Sequence, residues 1–183
     1  MCTFVTAVLP QGADIVRIRA VLGPSSQALR PLVNRSVQRC FGAEACYYRA
    51  YESSCDCGVA LGGAAYDAGS SRPPEEQVPA LRKKGWREAK IRRWLVEKRE
   101  ATARKLAERE SKAKSDLQRW RRLLDATVGS GASPWAALLI HEYSGGLETE
   151  AISLVGREEI SMSRASDELL RNLHRDVLYV FRP

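Results

Sequence analysis

Apolar positions along the chain fall into dense short runs toward its two ends and into a sparse, widely spaced series between them. The first dense run, CTFVTAVLP (Cys2 to Pro10), is rich in Val, Thr and Phe and stops at a proline, which predicts a buried strand. GADIVRIRAVLGP then places Ile15, Ile18, Val21 and Leu22 at helical spacing, with Gly23 and Pro24 as the stop. A poorly periodic stretch containing Pro31 and Asn34 precedes ACYYRAYES (Ala45 to Ser53), whose tyrosines favour a strand. Toward the C-terminus WAALLIHEY (Trp135 to Tyr143) predicts a third strand and VLYVF (Val177 to Phe181) a fourth. Between these two, SMSRASDELLRNLHRD brings Met162, Leu169, Leu170 and Leu173 onto one helical face, with Ser163 or Ser166 as N-cap. AISLV and EEISM, separated by Gly156 and Arg157, predict an additional edge strand or hairpin.

In order, these elements give the β-α-β-β-α-β pattern of a ferredoxin-like α+β sandwich. Its compact α/β domain would comprise residues 1–57 and 131–183, interrupted between the second and third strands. The interruption has two parts. Residues 58–85 are rich in Gly, Ala and Pro and predict a linker. Residues 86–128 predict a helical arm: from Trp86 to Val128 there is neither glycine nor proline, and Ala, Arg, Lys, Glu and Leu dominate. The apolar positions Ile91, Leu95, Thr102, Leu106, Ala113, Leu117, Trp120 and Leu124 follow a loose helical period that weakens in the middle. One long helix and a helical hairpin both fit. Since the third strand is expected to return beside the second, a break would fall between Ser111 and Ser115, where SDLQ resembles a capping box.

Charge changes the picture of this arm. The net charge of +7 is an average over unlike parts. Between Arg82 and Arg122 there are 17 Lys and Arg against 6 Asp and Glu, whereas the rest of the chain holds 12 basic and 16 acidic residues. Such an asymmetry speaks to partners rather than to fold. Arg92, Arg93, Arg119, Arg121 and Arg122 are the expected phosphate contacts. Trp94 and Trp120 are expected either to stack on bases or to anchor the arm. The leading expectation is therefore a nucleic-acid-binding protein, with RNA favoured. Another polyanion, such as an acidic protein surface, is also open. Intrahelical pairs such as Glu88 with Arg92 and Glu108 with Lys112 equally suit a solvated helix, or an adaptor that pairs through the arm as a homodimer.

Composition adds little beyond exclusions. The 44% hydrophobic residues are enough for a folded core, and no apolar run approaches the ~20 residues that a membrane-spanning helix needs. The N-terminal run lacks a basic segment and is broken by Thr3, Thr6 and Pro10, so no secretory signal is expected. Five irregularly spaced cysteines suit a reducing compartment, and a cytoplasmic location follows as the expectation.

Two stretches carry candidate chemistry, and together they form the alternative reading of a thiol- or metal-dependent enzyme. In SSCDCGVALGG, Cys55 and Cys57 enclose an aspartate. Their one-residue gap is narrower than zinc pairs usually show, so they are weak metal candidates as well as candidate thiols. In the expected sheet, Cys2, Cys46 and His141 lie away from them, with His141 nearer Arg49. HEYSGGLETE (His141 to Glu150) offers the candidate catalytic groups His141, Tyr143 and Glu148 around a Gly-Gly turn, which also reads as a strand end and polar hairpin. No nucleotide-binding glycine motif occurs, and no cofactor is expected.

Overall fold

A computed structural model of the chain describes residues 1–23, 28–42, 44–51, 55–62 and 73–183. Pro24, Ser53, Ser54 and Gly63, used above as stop and turn signals, lie outside the described residues, as does the 63–72 part of the linker.

Among the described residues, six strands form one sheet: β1 (Cys2–Pro10), β2 (Ala28–Leu32), β3 (Ala45–Tyr51), β4 (Ala136–Tyr143), β5 (Gly156–Ser161) and β6 (Val177–Arg182), in the order β2-β3-β1-β4-β6-β5. All neighbours are antiparallel except β5 and β6. The fold is α+β with a mixed sheet and a long helix, but the expected strand neighbours are wrong. β3 and β4 were to pair with each other; instead β1 lies between them, with Thr6 opposite Arg49 on one side and Leu139 on the other.

The cause is β2, hidden in the poorly periodic stretch. This strand carries Pro31 and places Leu29 at φ +62°, so its pattern does not alternate. It pairs with β3, which leaves β1 and β2 parallel with β3 between them. Each later strand therefore moves up by one, and the long helix becomes the connection between the third and fourth strands. Its C-terminal end packs on the sheet, and the stretch before that end stands clear of the core.

Both sheet faces are covered, which explains why the central strand β1 reads as a near-continuous apolar run. Val5, Ala7 and Leu9 face one core with α1 (Ile15–Leu22), the end of the long helix and α5 (Asp167–Arg171). Val8 and Phe4 face a second core under α2 (Arg35–Phe41), with Ile152, Leu147 and Leu154. α1 starts at Asp14, whose carboxylate accepts from Arg17 N–H, and ends at Gly23 in the left-handed region at φ +85°. The expected cap of α5 is Ser166, which accepts from Leu169 N–H. The expected edge strand is β5, parallel to β6 across the α5 connection and not a hairpin.

Within the linker, Pro74–Gln77 and α3 (Val78–Lys83) are helical. They fold back along the start of α4 (Glu88–Leu124), with Glu75 on Arg99 and Glu88 on Arg82. α4 is one unbroken helix of 37 residues, so neither the hairpin nor a break near Ser111 occurs. At ~1.5 Å per residue it is about 56 Å long. A single π-helical turn at Asp125–Gly129 leads it into β4. None of the described helices is long and apolar enough to cross a membrane.

Candidate functional sites

α4 divides into two unlike halves. At its C-terminal end Ala113, Leu117, Trp120, Leu123 and Leu124 are buried in the core. Trp120, only 2% exposed, meets the Tyr51 ring edge-on at 5.0 Å, so it is an anchor and no stacking platform. Tyr51 also donates its hydroxyl to the Arg119 carbonyl, and the Arg119 guanidinium lies 3.5 Å over the Tyr51 ring. Burial pushes the Tyr51 hydroxyl up to about 12. Arg121 approaches Asp167 at 4.0 Å. Of the expected phosphate contacts, Arg119 and Arg121 thus already have intramolecular roles, while Arg122 is exposed.

From Arg92 to Lys112, by contrast, no residue is buried. Arg92, Arg93, Lys98, Arg104, Lys105 and Lys112 are exposed, and so are Val96 and Leu106. Lys98, Lys105 and Lys112 recur every seven residues on one side of the helix, and Arg93 and Arg104 project from the other. The positive charge therefore surrounds the helix. Trp94 is half-buried, and half-buried Trp86 carries Lys90 Nζ 4.0 Å above its ring.

The CDC loop lies along the edge of β1 where β3 has left it. Asp56 N–H donates to the Thr3 carbonyl at 2.8 Å, and Val5 N–H donates to Asp56 Oδ2 at 2.9 Å. Thr3 N–H donates to Cys57 Sγ at 3.1 Å. The loop thus satisfies backbone groups that a neighbouring strand would otherwise satisfy. Extended residues alternate in direction. With Asp56 turned in and 4% exposed, Cys55 and Cys57 turn the other way, toward Cys2.

The three Sγ atoms lie within 4.8 Å of one another, which overturns the expected separation of Cys2 from the pair. It follows from the same sheet order: with β3 beside β1, the chain leaving β3 returns along β1. The Thr3 N–H, first, and then the neighbouring thiols hold Cys57 below the ordinary thiol range. Desolvation and the neighbouring Cys57 push Cys2 up. Cys46 on β3 and Cys40 on α2 are not part of the cluster.

His141 does not join it either. On β4 it stands opposite Phe4, not near Arg49 as expected. Its Nδ1 meets the Asp176 carboxylate, and its Nε2 lies 3.6 Å from Glu150 Oε1. The Tyr143 ring packs edge-on at 4.6 Å, as expected for residues sharing one strand face. The Tyr143 hydroxyl is hydrogen-bonded to that of Tyr47 at 2.8 Å, and burial raises the pKa of both. Glu150 also accepts from the N–H groups of Ser144 and Gly145, which hold its carboxyl below the usual range. Ser144 Oγ donates to Glu150, not to His141. His141 thus lies between two carboxylates at the end of β4, while the adjacent Ser144 hydroxyl is bonded to Glu150. Glu148 is exposed on the rim of a surface cavity of about 530 Å³ beside Arg35 and Arg39.

Sequence reasoning missed Asp176 and set Cys2 apart from Cys55 and Cys57. Nothing near Asp176 marks it, since its place beside His141 depends on a left-handed turn at φ +60°. Comparison with protein-family models, with curated proteins and with solved structures finds no match to this chain.

Proposed function

We propose that this protein binds RNA through the solvated half of α4. The reading rests on one observation: Arg92 to Lys112 is an exposed stretch of helix with 8 Lys and Arg against 4 Glu, continuous with a buried C-terminal end. Helix formation alone does not require this composition, because glutamate and lysine in balance would serve as well. Cations distributed around the helix suit a flexible strand that can wrap it. A rigid duplex would reach only one side. Half-buried Trp94, and the face of Trp86 not covered by Lys90, are the aromatic surfaces left for stacking at the N-terminal end of α4. Trp120 is withdrawn from this role, and Arg119 and Arg121 belong to the anchored end.

Binding of a mixed-sequence single-stranded RNA measured across salt tests the proposal. Glutamate at Arg92, Arg93, Lys98 and Lys105 should weaken binding at least about tenfold. The salt slope should flatten by about 0.7 for each phosphate that is no longer neutralised. Glutamate at Arg121 and Arg122 should do less. Equal binding by the first variant and the parent would sink the reading, and so would preference for an acidic polypeptide over RNA at matched salt.

A further inference from the structure

We infer that Cys2, Cys55 and Cys57 form a binding site for a thiophilic metal ion, with Zn²⁺ as the occupant the donor set best fits. Among the described residues this is the one group of three or more His, Cys, Asp or Glu side chains whose ligand atoms converge, and all its donors are sulfur. Zinc takes thiolates at ~2.3 Å, which places sulfurs about 3.8 Å apart in a tetrahedral shell. Sulfurs already within 4.8 Å of one another need draw in by no more than about 1 Å.

The surroundings favour the bound form. Thr3 N–H points at Cys57 Sγ, the kind of outer hydrogen bond that orients a metal-bound thiolate. Asp56 fixes the loop from its other side through Val5 N–H and the Thr3 carbonyl, so two of the three ligands sit on a braced segment. A zinc ion with three thiolates carries one net negative charge. Lys112 Nζ approaches this loop, 4.0 Å from where a β-carbon on Gly58 would lie. Cys2 and Cys57 are exposed, which leaves a fourth coordination position open to water or an incoming ligand. Bound metal would tie the start of β1 to the loop that leaves β3. Sequence spacing could not suggest this, because the third ligand is more than fifty residues away and only the sheet order brings it near.

The test is titration of the full reduced chain with Co²⁺ and then Zn²⁺ under anaerobic conditions. One equivalent of Co²⁺ should produce thiolate-to-metal charge-transfer absorption, and Zn²⁺ should displace it. Cys2→Ser and Cys55→Ser should each weaken zinc binding by more than the ~100-fold that loss of an outer hydrogen-bond partner can cost. Cys40→Ser and Cys46→Ser should leave it unchanged. Cys57→Ser also alters the partner of Thr3 N–H, so the first two variants decide the matter, with circular dichroism confirming that they fold. Absence of the charge-transfer band in the parent, or equal weakening by Cys40→Ser and Cys2→Ser, would overturn the assignment.

Discussion

Three residues at the junction between sheet and α4 carry strain or charge that single substitutions expose. Gly62 has φ +73°, and a β-carbon there would lie 2.7 Å from Ile140 Cδ1 and 3.0 Å from the Leu173 carbonyl oxygen. The isoleucine could swing aside but the backbone could not. Gly62→Ala is therefore expected to lower stability by about 2–4 kcal/mol, read as a lower urea midpoint at unchanged slope. Asp56→Ala strands the buried Val5 N–H and should cost about 1–3 kcal/mol by the same measurement, with Asp56→Asn costing less. Asp116 behaves oppositely. Burial raises its carboxyl pKa, the charges of Lys112 and Arg119 and then the Ala60 N–H offset part of this, and Oδ2 has no hydrogen-bond partner among the described residues. A raised carboxyl pKa means that the folded state prefers the proton, so the charged form lowers stability above that pKa and the penalty vanishes as pH falls through it. Asp116→Asn should melt higher than the parent near neutrality, with the gap closing on acidification; a gap independent of pH would contradict this account. The sequence marked Cys55 and Cys57 as chemically dense but gave Asp56 no role. Its work is to satisfy backbone groups of a strand fifty residues away, and no local pattern encodes that.

At the level of elements, α4 joins two regimes of stability in one continuous helix. Its C-terminal third is held by tertiary burial, and the stretch from Arg92 to Lys112 is held by helix propensity and exposed ion pairs worth little each. Amide exchange should accordingly be slow from Ala113 to Leu124 and orders of magnitude faster across the exposed stretch. Trp120→Ala should cost about 3–5 kcal/mol, while Leu106→Ala, at an exposed position, should stay within about 0.5 kcal/mol. Equal protection along the helix would mean that the exposed half is covered in solution. This helix was also the most legible element. Its composition announces it, and the weak middle of its apolar period, at Thr102 and Leu106, marks the part that stands clear of the core. β1, β4, β6 and α1 were legible from burial patterns for similar reasons. β2 and α2 were not. A strand with a proline and a left-handed leucine loses its alternation, and a seven-residue helix capped by Asn34 shows less than two full periods. One missed strand then misplaced all its successors, since strand order depends on how many times the chain crosses the sheet. The cysteine cluster was lost for that reason alone.

Considered whole, the described residues form an open sheet with two edges and one charged arm, and both edges carry features that block further pairing. β2 presents Pro31, which has no N–H to donate, and is only five residues long. β5 presents Arg157, Glu158 and Glu159 in succession, all exposed, with Glu159 also held by Arg182 at 3.2 Å. A second copy of β5 laid alongside in parallel would set each charge against its own kind, and an antiparallel one centred on Glu158 would set two carboxylates directly opposite, which is destabilising. The arm also opposes self-association, since its exposed half carries 8 Lys and Arg against 4 Glu and its apolar series thins to Leu95, Val96 and Leu106. The parent is therefore expected to sediment as a monomer at micromolar concentration. Replacing Arg157, Glu158 and Glu159 with valine, threonine and valine keeps the strand and its pairing to β6 but removes the block from the free edge. That variant should sediment with a higher average mass that grows with concentration, whereas glutamate at Arg92 and Arg93 should leave the parent's mass unchanged. If the edge variant stayed at the parent's mass, charge on β5 would not be what keeps the sheet from extending.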